Sequence, residues 1–240
     1  MTKRKVEREW REPQEYEMLK AIKELKHTAP GLSGVPAALW KAISTDQKLR
    51  SVMLNIMKQC WKEERVPQTW LKYYMIVLEK KGDLTLPANY RGISIGEALS
   101  KVYTQILKHR LQDFYEEIAP EFCNGFRKGR GRCDSIFSMT ETLRKRKQWG
   151  KDSWVIFFDL VRCFDKIPRA FIWRSMTQLG VSPKMIAVVK STLHEAKCVL
   201  RVEGQERLVN MDNGTGQGTT MGADTMQSIS NAHRRTLVRN

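Results

Sequence analysis

No stretch of the 240 residues approaches the ~20 consecutive apolar positions that a bilayer span requires, which sets a membrane protein aside. Cysteine is scarce and unpatterned. Cys60, Cys123, Cys133, Cys163 and Cys198 are scattered with no C-x-x-C and no paired His spacing, so reduced thiols are expected rather than a zinc site or a disulfide framework. The basic start, Met1-Thr2-Lys3-Arg4-Lys5, is followed by charge and not by an apolar stretch. No secretory signal is visible, and an intracellular place, nuclear or cytoplasmic, is expected. Acidic residues are also in short supply: 26 Asp and Glu face 42 Lys and Arg, a net charge of +16. A balance this basic suits polyanionic partners, nucleic acid above all. With 41% apolar residues spread along the chain, disorder is excluded as the dominant state, and one sizeable core or two modest ones can form.

Apolar periodicity divides the chain into elements. Tyr16, Leu19, Ile22 and Leu25 recur at helical spacing, and Ala29-Pro30-Gly31 stops that helix. A second helix carries Leu49, Val52, Met53, Ile56, Met57, Cys60 and Trp61 on one stripe and ends before Pro67. Residues 73–78 are β-branched and aromatic, and read as a strand entering a polar loop over 79–89. The longest helical pattern runs from Leu99 to Ile118 and breaks at Pro120. Next comes a basic, glycine-rich stretch, Asn124-Gly125-Phe126-Arg127-Lys128-Gly129-Arg130-Gly131-Arg132, expected as a flexible loop. The helix after it closes on Arg144-Lys145-Arg146-Lys147, cations that suit a helix C-terminus. Trp154-Val155-Ile156-Phe157-Phe158 is the most strand-like run and leads to Asp159. Helical patterns return at 171–179 and 185–193, and a β-hairpin is expected over 197–211 about Glu203-Gly204-Gln205.

Two features carry chemistry. A carboxylate at the end of an apolar strand is costly unless something offsets it. The pattern D-x-x-x-x-F-D from Asp159 through Phe164 to Asp165 suits a divalent-cation ligand at a sheet edge, and Mg²⁺ favours one or two carboxylates supplemented by substrate phosphates. The alternative for such an Asp is a local cap on the following turn. Lys80, Lys81 and Arg91 flank a turn-prone stretch, where they either clamp a triphosphate by charge-assisted bonds or remain solvated surface charge.

Four blocks in this order resemble the reverse transcriptases of non-LTR (LINE-like) retrotransposons and, more distantly, those of group II introns. Ala29-Pro30-Gly31-Leu32-Ser33-Gly34-Val35-Pro36 with Leu39-Trp40-Lys41 is similar to the family's A-P-G-x-D-G-I-P. Lys80-Lys81-Gly82-Asp83 and Asn89-Tyr90-Arg91-Gly92-Ile93-Ser94, preceded by Val66-Pro67 and Trp70, resemble K-K-G-D…N-Y-R-P-I-S. The run from Asn124 to Arg130 and the block from Phe158 to Pro168 resemble the third block and motif A, and Gly214-Thr215-Gly216-Gln217-Gly218 resembles motif B. The resemblance spans about residues 18–231. It implies an α+β chain made of the helix-rich fingers and partial palm of a right-hand polymerase, with a small antiparallel sheet carrying Asp159. It further implies RNA template, DNA primer and deoxynucleoside triphosphates as partners, and two Mg²⁺ ions in the complete enzyme. By the same resemblance Asp159, with the Leu160 carbonyl, is a metal ligand and the catalytic carboxylate. Phe164 lies under the sugar, Lys80 and Arg91 hold the triphosphate, and Gln217 with Gly218 supports the nucleotide. Lys81, Arg127, Lys128, Arg130 and Arg132 are the expected nucleic-acid contacts.

The departures also shape the expectation. Ser33 stands for the usual Asp, Gly92 for Pro, and Gly222-Ala223 for the Ser-Pro that follows Q-G. No Tyr-x-Asp-Asp or Ala-Asp-Asp occurs, and the only aspartates after Asp165 are Asp212 and Asp224, each without an adjacent partner. The expected organisation is an N-terminal helical extension over 1–28, fingers with the first part of the palm over 29–150, and a partial palm over 151–240. A fragment of an RNA-directed DNA polymerase, inactive alone, is the first reading. A non-catalytic RNA-binding scaffold on the same fold is the alternative.

Overall fold

The computed structural model describes residues 10–26, 29–86, 89–125, 127–158, 166–202 and 205–215. Helix α1 spans Glu15–Glu24 and begins with Glu15 and Glu17 in its first turn, where carboxylates meet the positive end of the helix dipole. The Glu17 carboxylate also accepts the Gln14 backbone N–H at 2.8 Å. Helix α2 covers Ala37–Ile43 after Pro36. Helix α3, Gln47–Glu63, starts on Asp46, whose carboxylate accepts the Leu49 N–H at 2.9 Å. Of its seven-residue apolar stripe, Met53, Met57, Cys60 and Trp61 are buried, while Leu49, Val52 and Ile56 stay exposed. A 3₁₀ turn at Gln68–Leu71 then leads into strand β1, Lys72–Glu79.

Strand β2, Tyr90–Ile95, returns antiparallel to β1 and runs straight into helix α4, Ala98–Ile118. Twelve of the 21 residues of α4 are buried, so it is the spine of the main core. Helix α5, Arg132–Gln148, buries none of its residues; Asp134 in its first turn and Lys145, Arg146 and Lys147 in its last match the helix dipole. Helix α6, Arg169–Leu179, ends on Gly180 at φ +91°, a left-handed conformation that glycine adopts without strain. Helix α7, Pro183–Ser191, is capped by the Ser182 hydroxyl on the Met185 N–H and has Pro183 in its first turn. Strands β3, Lys197–Val202, and β4, Gln205–Asn210, form the expected hairpin.

One apolar cluster runs from Met18 in α1 through α3 and α4 to Val189 in α7. A smaller one, Tyr73, Ala196 and Cys198 with Met75 and Met211 against it, lies under the sheet. The four strands are ordered β2-β1-β3-β4. Here two details of the expectation are corrected. The sheet is mixed, because β1 and β3 pair in parallel from Lys72↔Lys197 to Met75↔Leu200. No short turn joins these two strands, so nothing local forces them antiparallel. Residues 154–158 form no strand: they make no ladder, and Trp154 and Phe158 are 95% and 89% exposed. β-propensity supplies side chains suited to a sheet, but the N–H and C=O groups still need a neighbouring strand, and the described strands pair elsewhere. Asp159 lies outside the described residues.

The junction of α1 with α4 is polar and buried. Arg110 in α4 is 5% exposed and grips Glu17 with two bonds, Nε to Oε1 at 2.8 Å and Nη2 to Oε2 at 2.7 Å. Its Nη groups also donate to the Arg11 and Glu12 carbonyls at 2.5 and 3.2 Å, and the guanidinium sits 5.1 Å over the Trp61 ring. Removing one partner leaves the other charge buried and unpaired. Arg110→Met is therefore expected to cost about 3–5 kcal/mol in denaturant unfolding, and Glu17→Leu combined with it to recover part of that loss. A single-variant cost below about 1 kcal/mol would show that the pair is solvated in solution.

Candidate nucleotide and nucleic-acid surface

The β1–β2 hairpin projects from the core with Ile76, Val77 and Leu78 exposed. Its tip is organised by the residues of the K-K-G-D…N-Y pattern. Gly82 turns the chain at φ +125°. The Asp83 carboxylate accepts the Thr85 N–H at 2.9 Å and the Thr85 hydroxyl at 2.7 Å, an Asx turn. The Asn89 side-chain amide donates to the Asp83 carbonyl at 2.7 Å, and the Tyr90 hydroxyl to the Leu84 carbonyl at 2.9 Å. The two Thr85 bonds favour the ionised Asp83, whose pKa is held below the usual carboxylate value, chiefly by the Thr85 hydroxyl.

The hairpin register decides where the expected triphosphate contacts fall. Leu78 faces Arg91 across the ladder, and the Lys80 N–H donates to the Asn89 carbonyl at 2.7 Å. Side chains alternate faces along a strand, so Leu78, Lys80 and Arg91 share one face, Lys80 and Arg91 as diagonal neighbours. Arg91 and Lys81 are exposed, and Lys80 is half-buried. The same bond sets the phase of the ladder: bonded pairs fall at 80/89 and 78/91, and Val77↔Gly92 falls between bonded pairs. The Gly92 N–H thus turns to the open side of the edge strand β2, where the family's Pro would lose no ladder bond.

Ser33, the other departure in the fingers blocks, has a local reason. Its N–H and hydroxyl donate to Glu97, the residue that precedes α4, at 2.9 and 2.5 Å. Gly31 lets this turn close, since a Cβ there would lie 2.7 Å from the Glu97 carboxylate carbon. An Asp at 33 would set a second carboxylate against Glu97.

The basic loop before α5 divides its cations. Arg127 is 8% exposed and donates to Glu116 at 3.1 Å and to the Pro120 and Cys123 carbonyls at 3.1 and 3.3 Å. The Lys128 N–H joins the same carboxylate at 2.8 Å. Arg130 is paired with Glu121 and donates to its carbonyl at 2.6 Å. Lys128 and Arg132 are exposed, and their side chains enter none of the ion pairs among the described residues. The loop expected to be flexible is held by its own arginines.

Asp159, Leu160, Phe164, Gln217 and Gly218 lie outside the described residues, as do Phe126 and Asp165. Their flanks meet. The Gly214 N–H donates to the Ile167 carbonyl at 2.8 Å, joining the end of one block to the start of the other. Arg169, which no sequence pattern singled out, donates from Nε to the Gly214 carbonyl at 3.0 Å. Among the described residues no group of three or more His, Cys, Asp or Glu could hold a metal ion. Nor is any described helix long and apolar enough to cross a membrane.

Residues 78–237 match the family described as reverse transcriptase (RNA-dependent DNA polymerase). The chain is 26% identical over 201 residues to the retrovirus-related Pol polyprotein from type-1 retrotransposable element R2 of Popillia japonica, covering 82% of this chain and 27% of that protein. It is 25% identical over 211 residues to the probable RNA-directed DNA polymerase from transposon BS of Drosophila melanogaster, covering 86% and 23%. The chain thus spans about a quarter of the length of these relatives. In structure it is similar to apo telomerase from Candida tropicalis truncated from its C-terminal domain, with TM-score 0.51 at 12% identity, over 85% of this chain and 45% of that one. That neighbour has a right-hand polymerase fold, and the α+β expectation of helix-rich fingers and partial palm holds for this chain.

The Asx turn makes the hairpin tip sensitive to Asp83. Asp83→Ala is expected to remove the exchange protection of the Thr85 amide, and Asp83→Asn to keep it, because an amide oxygen still accepts that bond. Since the folded pKa lies below the ordinary 3.8, the ordering by Asp83 is fully present above that value and fades only as pH falls through the lower, folded pKa. Equal Thr85 protection in all three proteins would show that the tip is ordered by Asn89 and Tyr90 alone.

Proposed function

The chain belongs to the reverse transcriptase (RNA-dependent DNA polymerase) family, and from that premise we propose that it forms the fingers and the first part of the palm for template-directed addition of deoxynucleotides to a primer. The observation that carries this reading is the hairpin register that sets Lys80 and Arg91 on one face, at the mouth of an organised turn. Two cations in that relation match the spread charge of a triphosphate. In this reading RNA template, DNA primer and deoxynucleoside triphosphates are the partners. Phe164 lies beneath the sugar of the incoming nucleotide, and Gln217 and Gly218 support it. The proposed units are the extension over 1–28, fingers with early palm over 29–150 and partial palm over 151–240.

Asp159, with the Leu160 carbonyl, is the proposed contribution of this chain to Mg²⁺ coordination. Bound Mg²⁺ would supply charge stabilisation and activation of the primer hydroxyl. One carboxylate does not satisfy two such ions, so residues beyond Asp159 must complete that site. The second reading, a non-catalytic RNA-binding scaffold, is favoured by one observation: Asp212 and Asp224, the aspartates after Asp165 in this chain, have no adjacent partner.

Nucleic-acid contact is proposed at Lys81, Lys128 and Arg132, with Arg127 and Arg130 acting through the loop they hold. Single-stranded RNA affinity should fall steeply with salt, and alanine at Lys81, Lys128 and Arg132 together should reduce the log–log slope by about 2, at roughly 0.7 for each lost phosphate contact. Arg127→Ala should destabilise the loop and change the slope less than any of these three. RNA affinity should survive Asp159→Asn, because the contacts lie in the basic loops. An unchanged slope in the triple variant would remove these loops from the nucleic-acid path. Primer extension by a longer, active form that persists in Asp159→Asn would refute the metal-ligand role.

A further inference from the structure

We infer that Arg169 is a positioning residue: it fixes the block ending at Pro168 against the turn beginning at Gly214, and thereby the nucleotide pocket that the two blocks are proposed to form. The pocket part rests on the reading above; the clamp itself does not.

Arg169 is the first residue of α6. A cation there meets the positive end of the helix dipole, which is unfavourable. Burial adds to the cost and holds the guanidinium pKa below its usual value, opposed by Asp212 and Tyr73. The position is therefore poor for a merely solvated arginine, and what it gains is geometric. Nε donates to the Gly214 carbonyl at 3.0 Å, and Nη1 donates to the Leu193 carbonyl in the turn between α7 and β3. The Gly214 N–H donates to Ile167 at 2.8 Å. One residue, Gly214, is thus held through both its N–H and its C=O by residues on either side of Pro168, which itself fixes φ and offers no donor.

Burial pushes the pKa of the Tyr73 phenol in β1 up to about 12, and the charge of Arg169 opposes that rise. Arg169 therefore ties three places together: the end of the block that carries Asp159 and Phe164, the turn before β3, and the start of the stretch that carries Gln217 and Gly218. A planar guanidinium can aim separate N–H groups at two carbonyls from different elements, whereas a lysine ammonium fixes neither direction. Its third nitrogen, Nη2, is buried without a hydrogen-bond partner among the described residues. Arg169 also lines a cavity of about 680 Å³ together with Trp173, Lys190, Lys197 and Asp212.

The test compares the parent chain with Arg169→Lys and Arg169→Met. Two readouts are taken: hydrogen exchange of the Gly214 amide, and equilibrium dialysis with deoxythymidine triphosphate and Mg²⁺. Exchange at Gly214 should quicken about tenfold in both variants relative to the α4 amides, the loss of about one hydrogen bond. Nucleotide affinity should weaken about tenfold by misplacement, with RNA affinity and its salt slope unchanged. Unchanged exchange in the folded Arg169→Met protein overturns the clamp. If that variant fails to fold, unchanged exchange in Arg169→Lys does so. Faster exchange with unchanged nucleotide affinity overturns the positioning role and leaves a structural bond. A parent chain that binds no nucleotide overturns the functional reading instead, while the exchange comparison still decides the clamp.

Discussion

A guanidinium inside an apolar core can stay only where its donors are satisfied, and Arg110 is such a group. It is fixed in α4, and its partners come from elsewhere: the Glu17 carboxylate and the carbonyls of Arg11 and Glu12. The segment before α1 must therefore lie across α4 in one place. Glu17 is held equally firmly, since the Gln14 N–H occupies the same carboxylate. With the rear of α4 fixed in this way, its front end sets the rest. Glu97 at that end captures the turn at Ser33, and β2 enters α4 directly, so the direction of the exposed hairpin is inherited from the spine helix. The hairpin that carries Lys80 and Arg91 is thus oriented by contacts made far from it.

Much of this architecture is legible in the sequence, and the reason is local. Helices α3, α4, α6 and α7 follow apolar periodicity between Asp46, Pro120, Gly180 and Ser182, residues whose caps or stops act within a turn. The β3–β4 hairpin follows from two alternating runs about a glycine turn. The K-K-G-D…N-Y pattern is legible as a turn, and its bonds explain why those residue types occur together. What was not legible depends on partners distant in sequence. The parallel β1–β3 contact joins segments more than a hundred residues apart, and nothing in either strand announces its neighbour. Residues 154–158 illustrate the converse, since strong strand propensity yields no ladder where no described strand lies alongside.

The basic composition is legible in the sequence as a surplus, but its distribution is not. Arg127 sits in the most nucleic-acid-like run of the chain and has its guanidinium turned inward onto Glu116 and two carbonyls. A count of cations cannot separate charges that face solvent from charges that hold a loop. The missing information is the acceptor, and here it lies in the preceding helix, at Glu116.

The chemistry of the two basic side chains supplies a finer rule. Three arginines each gather two carbonyl oxygens, Arg110 from the chain before α1, Arg127 from the end of its own loop, and Arg169 from Leu193 and Gly214, whereas Lys184 reaches one, that of Lys62. A rigid planar fork loses less freedom per bond formed than a lysine chain, and it is more weakly hydrated. Lysines such as Lys81 and Lys128 remain at the surface, where a flexible, strongly hydrated point charge suits a phosphate backbone that passes in no fixed register. Among the described residues these three arginines hold the frame, while the exposed Lys81, Lys128, Arg91 and Arg132 keep their charge where a polyanion can reach it.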